Sequence, residues 1–282
     1  MSKHIAFIGA GNMAYSLITG LINSGRSPAH IRASDPVAVQ LDKLKALGVV
    51  TCPANDEAVR GAGLIVLAVK PQVLRAMLNE LTTLATDQLI VSIAAGVPIA
   101  SLQSWTDAEQ AIVRCMPNTP ALLGAGITAL FANEQTSSEQ RTLAEAVLAA
   151  VGKTLWVKSE ALLDAVTAVS GSGPAYFFYL MEAMVEAGRA LGLDAQTAKT
   201  LTIETAYGAA LMAREDNAEP ARLRADVTSP GGTTERALSI LEAADSRGII
   251  NAALAGAAER ARELASEFGK NRFGNERNPK RS

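Results

Sequence analysis

Glycine-rich segments beside predicted helices are the parts of this sequence whose residue types and spacing could do chemistry. The first, Gly9-Ala10-Gly11-Asn12-Met13-Ala14, has the spacing G-x-G-x-x-A and directly follows the apolar residues 5–8. Gly9 permits a tight turn, Gly11 lets the backbone approach a pyrophosphate, and Ala14 lets the next helix pack closely. The N-terminus of that helix offers free N–H groups to phosphate. The motif predicts a dinucleotide site, and a purely structural turn is the alternative.

The end of the second predicted strand, residues 31–34, is where such a site distinguishes its cofactors. An acid there bonds the adenine-ribose hydroxyls of NAD, whereas a hydroxyl and a nearby cation suit the 2′-phosphate of NADP. The sequence has Asp35 but also Ser34 and Arg32, so both cofactors stay open. Asp35 followed by proline is also typical of a helix N-cap, and both roles can hold together.

Two further segments end predicted strands, at the edge where sheets of this kind bind ligands. Lys70 could contact the cofactor ribose or the substrate, or it could be a solvated charge. Asn118 lies between two prolines in Met116-Pro117-Asn118-Thr119-Pro120. Its side chain could bond the carboxamide of a nicotinamide, or its own backbone in a rigid turn. The neighbouring Cys115 is interpreted as a small buried hydrophobic residue.

Two later segments rich in glycine and hydroxyls open predicted helices. Ser170-Gly171-Ser172-Gly173-Pro174 predicts a helix entry with exposed donors, or simple capping. Ser229-Pro230-Gly231-Gly232-Thr233-Thr234 suits a small carboxylate, with an N-cap as the alternative. Reductases of β-hydroxyacids with a comparable layout carry a lysine as proton donor, yet no lysine occurs between Lys158 and Lys199. Because an alkoxide needs such an acid and an iminium does not, the sequence favours C=N over C=O reduction.

These segments must be positioned by a fold of two parts. Apolar strands alternate with helices in the first half, which indicates a mainly parallel sheet covered on both faces, a Rossmann-like doubly wound α/β domain. No convincing strand lies between residues 161 and 268, so an all-helical domain follows. The predicted strands are residues 5–8, 31–34, 64–69, 89–93, 111–114 and 127–131. The predicted helices include residues 13–24, 37–47, 71–84, 175–191 and 195–213. The domain prediction is 1–160 for cofactor, 161–269 for substrate and dimerisation, and 270–282 as a basic, disordered tail.

Composition excludes several classes of protein. The chain has 282 residues, 49% of them hydrophobic, and a formal net charge of −2, which argues against disorder and against nucleic acid or anionic membrane as a partner. Two cysteines and two histidines are too few for a zinc site, so no metal is predicted, and hydrolase chemistry is weakly supported. The N-terminus lacks the features of a signal peptide, and the apolar runs fall short of the roughly 20 residues of a membrane span. We therefore expect a cytoplasmic protein.

Four motifs, taken in order, resemble those of the pyrroline-5-carboxylate reductase family. They are residues 9–14, 69–72, 116–120 and 228–234, and the resemblance runs from about residue 5 to 264. It implies a Rossmann-like domain and a helical domain that intertwines with its copy in a homodimer or larger homo-oligomer. It also implies hydride transfer from NADPH, or alternatively NADH, to the C=N bond of 1-pyrroline-5-carboxylate, which yields L-proline in the last step of proline biosynthesis.

The resemblance also implies roles for individual residues. The implied cofactor residues are Gly9, Gly11, Asn12, Met13, Ser34, Asn55, Ala68, Lys70 and Asn118. The implied substrate residues are Ser229, Gly231, Gly232 and Thr233 on the carboxylate, with Thr234 as the catalytic residue bonded to the ring nitrogen. Some members have an acid near the substrate where this chain has Asn217, which places that contact in doubt.

Three other hypotheses remain open from the sequence. A β-hydroxyacid dehydrogenase shares the layout but predicts the missing helical lysine. A nicotinamide-binding regulator without turnover would keep the first glycine motif and leave the 229–234 segment unexplained. A reductase acting on six-membered cyclic imines would use the same residues.

Overall fold

The computed structural model describes residues 3–215 and 219–270. Asn217 and the predicted basic tail beyond Lys270 lie outside the described residues. The described chain forms two compact units, residues 3–172 with 257–270, and residues 173–256. The domain boundaries at residues 160 and 269 stay predictions.

Eight strands form one sheet in the first unit. They are β1 (His4–Ile8), β2 (Ile31–Ser34), β3 (Val50–Cys52), β4 (Ala62–Leu67), β5 (Leu89–Ser92), β6 (Ala111–Met116), β7 (Gly126–Ala132) and β8 (Gly152–Trp156). Their order is β3-β2-β1-β4-β5-β6-β7-β8, and every neighbouring pair is parallel except β6 and β7. All six predicted strands are present, which confirms the mainly parallel α/β sheet.

Seven helices lie wholly within the described first unit, six of them between strands and the last after β8. They are α1 (Asn12–Asn23), α2 (Ala38–Lys45), α3 (Asn55–Val59), α4 (Pro71–Glu80), α5 (Ile99–Trp105), α6 (Ser138–Ala149) and α7 (Leu162–Val166). Short 3₁₀ turns cover Pro28–His30 and Thr119–Leu123. Helix α4 begins with proline at its first position, where the missing N–H costs no hydrogen bond. The predicted helix over 71–84 is therefore confirmed at its start and ends four residues early.

Alternating residues of each central strand enter two separate cores. On one face, Phe7 of β1 packs with the helix α1 residues Leu17 and Ile18. On the other face, Ile8 packs with Leu74 of α4. All five side chains are at most 1% exposed, so both faces of the sheet are covered at its centre, as expected for parallel strands.

The strand order creates a ligand crevice at one edge of the sheet. The chain moves outward from β1 to β2 and β3, and then returns so that β4 pairs with β1 on its other side. The connections after β1 and β4 therefore leave the sheet in opposite directions. In open α/β sheets, ligands bind at the carboxyl ends of the strands at such a switch point.

The second unit consists of helices. They are α8 (Gly173–Ala190), α9 (Ala195–Glu215), α10 (Pro220–Asp226), α11 (Thr233–Ala243) and the first part of α12 (Ser246–Lys270), whose residues from Ala257 belong to the first unit. Large apolar side chains on α8 remain exposed in the single chain, with Phe177 at 64% and Tyr179 at 75%. Such uncovered apolar side chains are typical of a surface that a second subunit buries.

The segment 170–174 opens α8, as predicted, because that helix begins at Gly173. A π-helical turn over Thr167–Gly171 directly precedes α8. The backbone N–H of Ser172 donates to the Thr167 carbonyl at 2.8 Å. This N–H and the Ser170 hydroxyl, which donates to the Val166 carbonyl at 3.0 Å, therefore serve the preceding turn.

Candidate functional site

The turn after β1 is built so tightly that only glycine fits at its first position. Gly9 has a φ of +96°, and its N–H donates to the carbonyl of Ser34 at 2.8 Å. A Cβ added to Gly9 would lie 2.7 Å from the carbonyl oxygen of Ala68. The tight turn predicted at Gly9 is therefore present, and it brings the ends of β1, β2 and β4 together at the switch point.

The second glycine of the motif leaves space for a ligand. Gly11 is the N-cap of α1, and no side chain caps that end of the helix. A Cβ added to Gly11 would have no heavy atom within 4 Å. Asn12 and Met13 form the first turn of α1 and present its positive end. An uncapped helix N-terminus beside an open glycine fits the pyrophosphate of a dinucleotide.

A cavity of about 540 Å³ continues this crevice past the ends of β1 and β2. Its polar wall includes Gly9, Ser34 and Asn55, three of the residues predicted for the cofactor. Its other wall is apolar and comes from α4 and the residue before Lys70. The lining side chains of this apolar wall are Val69, Val73, Ala76, Met77 and Leu81. This wall was not predicted from the sequence, although Val73 and Met77 have the i,i+4 spacing of one helix face directly after a strand.

The end of β2 presents a carboxylate beside the glycine turn. Asp35 accepts the N–H of Ala10 on Oδ2 at 2.7 Å and that of Val37 on Oδ1 at 2.8 Å. The buried Ser34 hydroxyl donates to Oδ1 of Asn55 at 2.7 Å. The amide N–H groups of Asn55 are thereby directed away from Ser34. The N-cap role predicted for Asp35 is wrong, because Val37 is the N-cap of α2 and no side chain caps that end of the helix. Contact of Asp35 with a ligand stays a prediction.

Lys70 and Asn118, the other two residues predicted at strand ends, differ in their hydrogen bonds and exposure. Lys70 is exposed and is the N-cap of α4. Asn118 donates from Nδ2 to the carbonyl of Ser170 at 3.1 Å and accepts the N–H of Ile127 on Oδ1 at 2.9 Å. One amide hydrogen of Asn118 remains for another acceptor. The role of Asn118 toward the nicotinamide stays a prediction.

Three further features concern the Cys115 thiol, metal binding and membrane-spanning helices. Burial raises the pKa of the Cys115 thiol, so the side chain behaves as a packed hydrophobe. Within residues 3–215 and 219–270, no group of three or more His, Cys, Asp or Glu is placed to hold a metal ion. Over the same ranges, no helix combines the length and apolar character needed to cross a membrane.

The 229–234 loop of the second unit enters α11 as predicted. Gly232 is the N-cap without a side-chain cap, and Gly231 has a φ of +71°. The N–H of Gly231 donates to Oε2 of Glu235 at 2.8 Å, and that of Gly232 donates to the carbonyl of Ser229 at 3.0 Å. Thr233 and Thr234 are the first two residues of α11. The loop therefore already holds one carboxylate, that of Glu235, on a backbone N–H group.

A glycine turn at the switch point of a parallel sheet, with an open approach to a helix N-terminus, defines a dinucleotide-binding protein of the Rossmann type. Two family models match this chain. Residues 4–96 match a family model described as NADP oxidoreductase, coenzyme F420-dependent, and residues 160–264 match one described as pyrroline-5-carboxylate reductase dimerisation.

Similar proteins cover nearly the whole chain. A pyrroline-5-carboxylate reductase of Pseudomonas aeruginosa is 52% identical over 95% of this chain and 99% of its own. The structure of a pyrroline-5-carboxylate reductase from Coxiella burnetii has a TM-score of 0.90 at 42% identity, covering 94% of this chain and 99% of that one. The Plasmodium falciparum pyrroline carboxylate reductase with NADP bound has a TM-score of 0.83 at 27% identity, covering 93% and 98%. The chain belongs to the pyrroline-5-carboxylate reductase family.

Proposed function

We propose that this chain catalyses the NAD(P)H-dependent reduction of 1-pyrroline-5-carboxylate to L-proline, the last step of proline biosynthesis. The observation that carries the proposal is the 52% identity over 95% of this chain to the reductase of Pseudomonas aeruginosa. The open approach beside Gly11 supports it independently, because this is the space a dinucleotide pyrophosphate requires.

The cofactor residues fit NAD(P)H along the first unit. Gly9 forms the turn, Gly11 leaves room for the pyrophosphate, and Asn12 and Met13 offer backbone N–H groups at the helix N-terminus. The other residues proposed for cofactor binding are Ser34, Asn55, Ala68, Lys70 and Asn118. Bound NAD(P)H supplies the hydride that reduces the C=N bond.

The substrate residues lie in the loop that opens α11. Ser229, Gly231, Gly232 and Thr233 hold the substrate carboxylate, and a carboxylate already accepts the Gly231 N–H in the loop. Displacement of the Glu235 side chain frees that donor for the substrate. The hydroxyl of Thr234 bonds the ring nitrogen and fixes the orientation of the C=N bond.

The reaction requires little acid–base catalysis from the protein. An iminium is already protonated at nitrogen and becomes an amine on hydride addition, so no general acid is consumed. The sequence has no lysine between Lys158 and Lys199, the region where a β-hydroxyacid dehydrogenase needs one. Positioning and orientation therefore provide most of the rate enhancement.

The assembly is a homodimer or a larger homo-oligomer formed through the helical region, residues 161–269. The exposed aromatic side chains of α8, including Phe177, Phe178 and Tyr179, and the dimerisation model matched by residues 160–264 support this. Residues 1–160 form the cofactor domain. We place the protein in the cytoplasm, since its two cysteines are free and such usage suits a reducing compartment.

The test is loss of reduced-cofactor absorbance when 1-pyrroline-5-carboxylate is added to the purified chain with NADPH or NADH. Substitution Thr234→Ala is expected to lower turnover while dinucleotide affinity stays unchanged, because Thr234 acts on the substrate. Ser239→Ala is the matched control, since Ser239 lies on the same helix and bonds only the Arg236 carbonyl among its described contacts. Equal turnover in Thr234→Ala would remove Thr234 from the mechanism.

Failure of the assay would also be informative. Dinucleotide binding without consumption would favour the regulator hypothesis. Consumption of NAD(P)H with a six-membered cyclic imine alone, or formation of NAD(P)H from NAD(P)+ and a hydroxyacid, would replace the substrate named here.

A further inference from the structure

The far end of the cofactor crevice differs from its glycine turn in electrostatic character. In a Rossmann-type site, the end of the second strand faces the 2′ position of the adenosine ribose. Here that end borders the cavity of about 540 Å³, which is lined there by Ser34, Asp35, Pro36 and Asn55. These residues therefore determine whether the site prefers NADH, which has a 2′-hydroxyl, or NADPH, which has a 2′-phosphate.

The charged groups lining this cavity are all acidic. Asp35, Asp56 and Glu80 are the acidic residues of the lining, and no lysine or arginine is among its described residues. The carboxylate of Asp56 also accepts hydrogen bonds from Thr82 and Thr83. Arg32, the cation considered from the sequence, donates from Nη1 to the carbonyl of Glu57 at 3.0 Å. A 2′-phosphate would therefore enter a cavity lined by three acidic residues, with no lining cation to neutralise it.

Asp35 is held in place rather than free to swing away. Its two oxygens accept the N–H groups of Ala10 and Val37 at 2.7 and 2.8 Å. Two backbone bonds from different segments leave the carboxylate little rotamer freedom. The Ser34 hydroxyl hydrogen is used by Asn55, so Ser34 does not offer that donor to a phosphate.

We infer that the adenosine end of this site selects NADH over NADPH, and that Asp35 is the specificity-determining residue. The inference rests on the proposed function, which requires that the crevice binds NAD(P)H. The remaining lone pairs of Asp35 accept the ribose hydroxyls of NADH, whereas the same carboxylate repels a 2′-phosphate. NADH binds at least about tenfold more tightly than NADPH at low salt, consistent with like charges a few ångströms apart.

The experiment measures dissociation constants of NADH and NADPH for the full-length protein without substrate, by nucleotide fluorescence. Titrations at about 50 mM and about 500 mM salt separate charge from shape, because salt screens repulsion. NADPH affinity is expected to rise with salt and NADH affinity to change little. Steady-state kinetics with both cofactors are measured in parallel.

Three variants sharpen the test. Asp35→Asn keeps an oxygen for one backbone N–H and is expected to bring the NADPH to NADH affinity ratio about tenfold closer to unity. Glu80→Gln, an exposed change on the same cavity wall, is expected to move the ratio the same way by a smaller factor, and it tests repulsion without disturbing the turn. Asp42→Asn, on the exposed side of α2 and outside the cavity lining, is the control and leaves the ratio unchanged.

The outcomes separate this inference from the proposed function. Tighter binding of NADPH than NADH with turnover intact would overturn the inference alone. The inference would also fail if Asp35→Asn and Glu80→Gln leave the affinity ratio where Asp42→Asn leaves it. Absence of binding by either dinucleotide would overturn both.

Discussion

Replacing Gly9 by alanine is expected to destabilise the first unit by about 2–3 kcal/mol. The φ of +96° lies in the left-handed region, which costs an L-residue about 1–2 kcal/mol. The new Cβ would also lie 2.7 Å from the Ala68 carbonyl oxygen, and relieving such overpacking costs about 1–3 kcal/mol. The lower chain entropy of unfolded alanine offsets about 0.4–1 kcal/mol of this.

Substitution Gly11→Ala provides the matched comparison two residues away. Its φ of −68° suits alanine, and the added Cβ meets nothing within 4 Å. The free energy of unfolding should therefore change by less than about 1 kcal/mol, the size of an N-cap effect. The methyl group enters the space that the pyrophosphate needs, so dinucleotide affinity should fall about tenfold or more.

Urea denaturation followed by tryptophan fluorescence reports this directly, because Trp105 and Trp156 both belong to the first unit. Dinucleotide titrations on the folded variants give the second readout. A Gly9→Ala protein as stable as the parent would refute the close approach of the β1 and β4 connections. A Gly11→Ala protein that binds dinucleotide normally would refute the assignment of the open space.

Two further predictions concern stability. Glu160→Ala should lower the free energy of unfolding, measured by urea denaturation, by about 3 kcal/mol. The reason is that Arg114, whose side chain is 7% exposed, loses its ion-pair partner at 2.9 Å. Asp87→Ala, which removes an exposed ion pair, should lower it by less than about 1 kcal/mol. His4 donates from Nε2 to the Ala58 carbonyl at 2.8 Å, and burial lowers the pKa of His4 from the ordinary value of 6.5. The unfolded chain therefore binds the proton more readily, so stability is complete above that value and falls as the pH drops below it. This part of the pH dependence should be absent in His4→Gln.

The central strands could be predicted because they are buried on both faces. Residues 5–8, 64–67 and 89–91 form continuous apolar runs, since their side chains enter one core or the other. The edge strands β3 and β8 escaped prediction for the converse reason. They have half-exposed side chains and pair on one side only, so neither burial nor a long apolar run marks them in the sequence.

The site was predictable where its chemistry depends on backbone conformation, as at Gly9 and Gly11. It was not predictable where partners are distant along the chain. Asn118 donates a hydrogen bond to the carbonyl of Ser170, 52 positions away along the chain. The residues around Asn118 in the sequence do not indicate that partner. The hydrogen bond from the Gly231 N–H to Glu235 is local. It could still not be predicted, because the same residue types also form other turns and helix caps.

The glycine turn and the end of β2 form one connected unit, which affects how cofactor selectivity can change. Asp35 bonds Ala10 within the turn, and Gly9 bonds the Ser34 carbonyl beside it. A substitution at position 35 therefore alters both the charge facing the ribose and one of the two bonds that hold the turn. A gain in NADPH affinity after Asp35→Asn would come from the lost charge, whereas an equal loss for both dinucleotides would come from the loosened turn. Because the Gly9 bond uses backbone atoms alone, it survives any side-chain change, and selectivity can be altered here without dismantling the pyrophosphate site.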